Sequence, residues 1–126
     1  MNAAWYFDFI SPFAYLQREQ LSRLPDDVEI VYRPVLFAGL LNHWGHKGPA
    51  EIPAKRLHTY RLCCWLAERW DIPFILPPSH PFNPLKALRL ALALGENGAA
   101  IATIFHFIYG EGGDLEDAAA WQELTA

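Results

Sequence analysis

At 126 residues, 52% of them hydrophobic, the chain suits one domain and has enough apolar content to build a core. Its net charge of −4 and pI near 5.6 argue against nucleic acid or an anionic membrane surface as a partner. No apolar run approaches the roughly 20 residues that a membrane-spanning helix needs. The N-terminus lacks a basic stretch and Asp8 interrupts its apolar run, which argues against a signal peptide.

The chain opens with Ala4-Trp5-Tyr6-Phe7-Asp8-Phe9-Ile10, an apolar run that predicts a buried strand. Ser11-Pro12 then starts a helix reaching Leu24, since Ser is a favoured N-cap and Pro a favoured first helical residue. Pro25-Asp26-Asp27 predicts a turn, and residues 28–35 alternate like a second strand that ends at Pro34. Strand, helix and strand within this span predict a βαβ unit with parallel strands and a right-handed crossover.

Beyond Val35 the pattern is helical. Leu36–Leu41 starts one helix, residues 42–49 read as a loop, and Pro53–Trp70 predicts a helix with Leu57, Tyr60, Cys64 and Ala67 as its apolar stripe. Cys63 and Cys64 are adjacent, about 100° apart on a helix, which suits neither an ordinary disulfide nor a CxxC site. They read as core filling, and a reducing, cytoplasmic setting is the expectation. Asn83 is expected to cap the next helix, with Pro84 as its first residue and Gly95 at its end. A further helix follows over Ala99–Tyr109, and Asp114 is expected to cap a last, Ala-rich one.

Ser11 has two readings. As an N-cap it satisfies an orphan N–H of the first turn. As a hydroxyl at a helix N-terminus it also stands where backbone dipoles favour an anion such as a thiolate or phosphate. A phosphate site usually draws on glycines for close approach, and none surround Ser11, which leaves the thiolate as the better fit. His43 and His46 have no Cys or carboxylate at ligand spacing, so no metal site is expected. His106 reads as a packed, hydrogen-bonded helix residue. Trp44, Tyr60 and Trp65 read either as core or as the wall of an aromatic pocket.

The segment Phe7-Asp8-Phe9-Ile10-Ser11-Pro12-Phe13-Ala14-Tyr15-Leu16 resembles the opening of the 2-hydroxychromene-2-carboxylate isomerase family. That family is related to kappa-class glutathione transferases and to thioredoxin-fold oxidoreductases of the DsbA type. Gly48-Pro49-Ala50-Glu51-Ile52-Pro53-Ala54-Lys55-Arg56, Ile72-Pro73-Phe74 and His80-Pro81-Phe82-Asn83-Pro84-Leu85 extend the likeness in the family's order.

The resemblance implies an α/β, thioredoxin-like fold. Residues 1–36 would form its N-terminal βαβ half and residues 37–126 an inserted all-helical domain, the C-terminal half of the fold being missing. Ser11-Pro12-Phe13-Ala14 stands where the redox relatives carry CxxC, and with no cysteine there dithiol–disulfide exchange at this helix is excluded.

The implied activity is a glutathione-dependent cis–trans isomerisation of an aromatic pyruvate, with Ser11 holding the glutathione thiolate. Phe13, His46 and Lys55 would join Ser11 in binding glutathione, His46 standing where the kappa enzymes place an Asn. Lys55 reads equally as a solvated helix residue. His80 and Asn83 fall near the position where the isomerases contact substrate, and Asn83 also serves as a plain N-cap. A kappa-like transferase or peroxidase is the near alternative. A non-catalytic fragment that exposes its sheet edge and pairs as a homodimer is the further one. With the segment that grips the rest of glutathione missing, weak binding by these residues alone is the expectation.

Overall fold

Alternation along the first strand sets the orientation of the sheet. In the computed structural model, which describes residues 1–126, Trp5 and Phe7 of β1 (Asn2–Phe7) are buried while Tyr6 between them is exposed. β1 pairs in parallel with β2 (Glu29–Pro34), in register from Asn2 opposite Glu29 to Phe7 opposite Pro34. The connection runs through α1 (Pro12–Gln20) and a short 3₁₀ turn over Leu21–Arg23, as the βαβ reading predicts.

The strand is shorter than its apolar run. Asp8 takes the Ile10 N–H on Oδ1 at 3.1 Å, and the Ser11 N–H bonds the Asp8 carbonyl at 3.2 Å. These local bonds turn the backbone out of the ladder before Ser11, because an Asp side chain offers the backbone an alternative to sheet pairing.

Five helices follow: α2 (Phe37–Trp44), α3 (Pro53–Arg69), α4 (Leu85–Ala93), α5 (Gly98–Phe105) and α6 (Ala118–Thr125). α2 absorbs the first part of the expected 42–49 loop and stops at Gly45, whose φ of 64° is open to glycine at no steric cost. α3 is rotated from the predicted stripe. Cys63 and Ala67 are buried, whereas Leu57 and Cys64 are exposed. Neighbouring cysteines carry no signal that tells the inner one from the outer, and packing made the choice.

Two caps fall differently from expectation, at α4 and α6, and α5 is shorter than the expected Ala99–Tyr109. α4 begins at Leu85 with Pro84 as its cap, while the Asn83 carboxamide oxygen accepts from the Leu85 N–H at 3.0 Å. α5 is capped by Asn97 and passes after Phe105 into a π-helical turn, His106–Gly110. α6 is capped by Asp117, and Asp114 instead accepts from Glu116 in the preceding turn.

One hydrophobic cluster joins the strands to the helices. Phe9 lies 4.7 Å from Phe105, ring centre to ring centre, and Phe7 lies 5.7 Å from the same ring. Tyr15 of α1 packs against Tyr109 at 5.7 Å. Residues 1–36 and 37–126 thus share a core, and aromatic pairs of this kind add about 0.5–1.5 kcal/mol each beyond their burial. No helix is long and apolar enough to cross a membrane.

Candidate active site

Ser11 caps α1. Its backbone is extended, its Oγ accepts from the Ala14 N–H at 3.2 Å, and its own hydroxyl proton has no acceptor within the chain. Pro12 carries no N–H, and the Phe13 amide finds no acceptor in the chain. The first turn therefore presents one free hydroxyl and one free amide together, a donor set suited to an anion.

These donors border a cleft of about 420 Å³. Phe13, Phe37, Leu41 and Phe82 supply apolar wall, and Asn42, His46 and Thr59 supply polar groups. Ser11 and Phe13 also border a wider, open groove of about 800 Å³ on the other side, lined by Tyr6, Leu40 and Trp70. Ser11 thus stands on the ridge between two concavities.

Two buried polar groups fix that ridge. Asp8 accepts from Ile10, and its Oδ2 accepts from the Phe37 N–H at 2.8 Å, tying the end of β1 to the first turn of α2. Burial raises its carboxyl above the ordinary 3.8, against the lowering effect of the hydrogen bonds from Phe37 and Ile10 and of the nearby Phe9 N–H.

His80 is the other, and it follows a loop that ends with a cis peptide to Pro81. Its Nε2 is 2.7 Å from the Ile10 carbonyl and its Nδ1 is 2.7 Å from the Tyr60 hydroxyl. Burial lowers its pKa below 6.5, with the Ile10 carbonyl pulling the other way and Arg56 adding to the lowering, so the ring is neutral near pH 7.

Of the residues singled out in the sequence, Ser11, Phe13, His46 and His80 meet at the cleft. Both nitrogens of His80 are engaged within the chain. Lys55 is exposed on α3 and does not border the cleft, and Asn83 is exposed with its side chain spent on Leu85.

Trp44 and Trp65 are largely exposed, so of the three candidate aromatics only Tyr60 approaches the site, through His80. His106 is exposed, with Nε2 3.4 Å from Glu111, and is not a packed residue. Asp8, Asn42 and Thr59 went unnoticed as site residues. Asp8 alone carried a signal, as a charge inside an apolar strand-like run.

Known proteins bear on this arrangement. A 2-hydroxychromene-2-carboxylate isomerase of Pseudomonas sp. (strain C18) is 31% identical over 114 residues, covering 86% of this chain and 53% of the relative. Glutathione s-transferase kappa 2 of Caenorhabditis elegans is 33% identical over 79 residues, 60% of this chain and 35% of that protein. A solved 2-hydroxychromene-2-carboxylate isomerase matches the fold with a TM-score of 0.73 at 22% identity, over 99% of this chain and 66% of that one. The chain thus spans about half the length of the first of these relatives and about a third of the second. The DSBA-like thioredoxin domain matches residues 4–126, and the chain belongs to that family.

Proposed function

We propose that the protein acts as a glutathione-dependent isomerase of the 2-hydroxychromene-2-carboxylate type, with Ser11 as the residue that holds the thiolate. The carrying observation is the Ser11 hydroxyl, which accepts from Ala14 and keeps its own proton free at the rim of the cleft. A donor set of one hydroxyl and one unpaired amide fits a thiolate, because both can donate a hydrogen bond to a sulfur anion and neither is acidic enough to protonate it.

When bound, glutathione would supply a nucleophile that adds reversibly to a conjugated aromatic pyruvate and is recovered after bond rotation. The chain's own part is electrostatic. A hydrogen bond to a charged group contributes about 1.5–3 kcal/mol, and a helix N-terminus about 0.3–1 kcal/mol more. At about 1.36 kcal/mol per pKa unit, these lower a thiol by roughly one to three units. In this reading His46 and Asn42 meet the rest of the tripeptide and Phe37, Leu41 and Phe82 face the aromatic ring; that all five line the cleft supports it. Lys55, on the exposed face of α3, is left for long-range attraction of a carboxylate. The free cysteines suit a reducing, cytoplasmic setting.

The test is the ultraviolet thiolate absorbance of glutathione titrated with the native chain and with Ser11→Ala. The native chain should lower the thiol pKa and the variant should not; equal titrations reject the role of Ser11. The relation to kappa glutathione transferases supports a second reading, in which glutathione is consumed. Free thiol conserved during turnover of an aromatic pyruvate selects the isomerase, and thiol consumed selects the transferase. No binding selects a non-catalytic role.

A further inference from the structure

We propose that His80 is a positioning residue for Ser11, acting through the peptide bond between Ile10 and Ser11; the proposal rests on the role given to Ser11 above. The Ile10 carbonyl and the Ser11 N–H belong to one planar peptide unit. His80 Nε2 holds its carbonyl end at 2.7 Å, and the Asp8 carbonyl holds its N–H end at 3.2 Å. A plane gripped at both ends sets where the Ser11 Cα stands and how its Cβ leaves the backbone. The bond from Ala14 to Oγ then sets the remaining torsion.

The donor at the carbonyl end is unambiguous. A carbonyl only accepts, which assigns the proton of the neutral ring to Nε2 and leaves Nδ1 as the acceptor for the Tyr60 hydroxyl. The Tyr60 hydroxyl also lies 3.1 Å from His80's own carbonyl, so its one proton is shared between the two acceptors, with the shorter contact to Nδ1. Phe82 and Tyr109 pack against the ring at 5.8 and 6.3 Å between ring centres. His80 is buried and has no nitrogen to spare for a substrate, which separates it from a binding group. Its reach spans 70 positions of sequence, from the loop before α4 to the turn before α1. A catalytic group displaced by about 1 Å can lose on the order of 100-fold in rate, so anchoring of this kind has a direct functional reading.

Two substitutions separate the ring's halves. His80→Gln keeps a donor near the Nε2 position and gives up the acceptor for Tyr60. His80→Asn keeps a partner for Tyr60 and loses the reach to Ile10. Two readouts are taken on the native chain and both variants: the thiol pKa of bound glutathione, and amide hydrogen exchange at Ala14, whose N–H is shared between the Ser11 Oγ and the Ser11 carbonyl and so reports the placement of Ser11 as a whole without any ligand. The proposal expects His80→Asn to raise the bound thiol pKa by about one unit or more and to speed Ala14 exchange about tenfold or more, with His80→Gln close to native.

Equal effects of the two variants, or native behaviour in His80→Asn, overturn it. If the native chain does not acidify glutathione, the functional reading falls and Ala14 exchange alone judges the positioning. If His80→Asn does not fold, His80→Gln decides: native thiol pKa and native Ala14 protection support the proposal, and their loss overturns it.

Discussion

The buried hydroxyl of Tyr109 donates to the carbonyl of Phe9 at 2.7 Å, joining residues 100 positions apart. Phe9 precedes Ser11 by two residues, so the π-helical turn after α5 grips the same turn that His80 grips from the other direction. Tyr109→Phe leaves that carbonyl unpaired in the core, at a cost of about 1–3 kcal/mol. Urea denaturation of the native chain and the variant should show the difference as a lower midpoint with an unchanged slope. A matching midpoint would mean that the carbonyl finds another donor.

Alkaline pH should destabilise the fold earlier than surface titration alone would. Burial pushes the Cys63 thiol up from 9.0 to about 12, with Cys64 adding to the effect. Burial likewise pushes the Tyr15 hydroxyl up from 10.0 to about 12, helped by Glu19, and holds Tyr109 well above 10.0. In each case the native chain keeps a proton that the unfolded chain releases. Their stabilising contribution is complete below the unfolded values and is lost as pH rises through 9.0 and 10.0 toward 12. The limiting slope is about 1.4 kcal/mol per pH unit per group. Urea midpoints across this range should fall, and Cys63→Ala should shift the onset of the fall from near 9.0 toward 10.0.

Asp8→Asn tests the other anchor of the Ser11 turn. The carboxylate accepts two backbone N–H groups, from Ile10 and Phe37, and a carboxamide offers only one oxygen. The orphaned amide should cost about 1–3 kcal/mol near neutral pH. The pH dependence has its own sign. The folded carboxyl is raised above 3.8, so its contribution is largest in acid and declines as pH rises from that value through the folded one. Asn cannot titrate, and the stability of the variant should be flatter over that interval. A variant that tracks the native profile would show that Asp8 titrates alike in both states.

His46 and Lys55 should part in glutathione binding. His46 borders the cleft with Ser11, whereas Lys55 stands on the exposed face of α3. Loss of one hydrogen-bonding group at about 0.5–1.5 kcal/mol predicts a roughly two- to tenfold weaker affinity for His46→Ala. Lys55→Ala should stay within about twofold at physiological salt, as expected of a solvated charge. Calorimetric titration measures both, and a larger loss at Lys55 would relocate the tripeptide along α3.

The order strand, helix, strand and the capping role of Ser11 were legible in the sequence because both rest on short-range physics. The bond from Ala14 to Ser11 spans three residues, and the apolar run through Trp5 and Phe7 marks a strand locally, although it read as buried on both faces and the structure leaves Tyr6 exposed. The same local rules missed by one to three residues at α4 and α6, where Asn83 and Asp114 do accept a backbone N–H two residues on but the capping position falls to Pro84 and Asp117. The burial of Cys63 over Cys64 depended on what α3 meets in space.

The sequence by itself determined that a hydroxyl without a neighbouring cysteine would stand at the head of α1, since a Ser-Pro pair after an apolar strand needs no distant partner to cap a helix. Only the tertiary structure decided what holds that hydroxyl in place. His80 reaches Ile10 across 70 positions and Tyr109 reaches Phe9 across 100, and no periodicity or propensity encodes such pairings. Their physical reason is collective: the apolar cluster places both side chains beside unpaired carbonyls, and a buried carbonyl without a donor is costly enough to select the residue that supplies one.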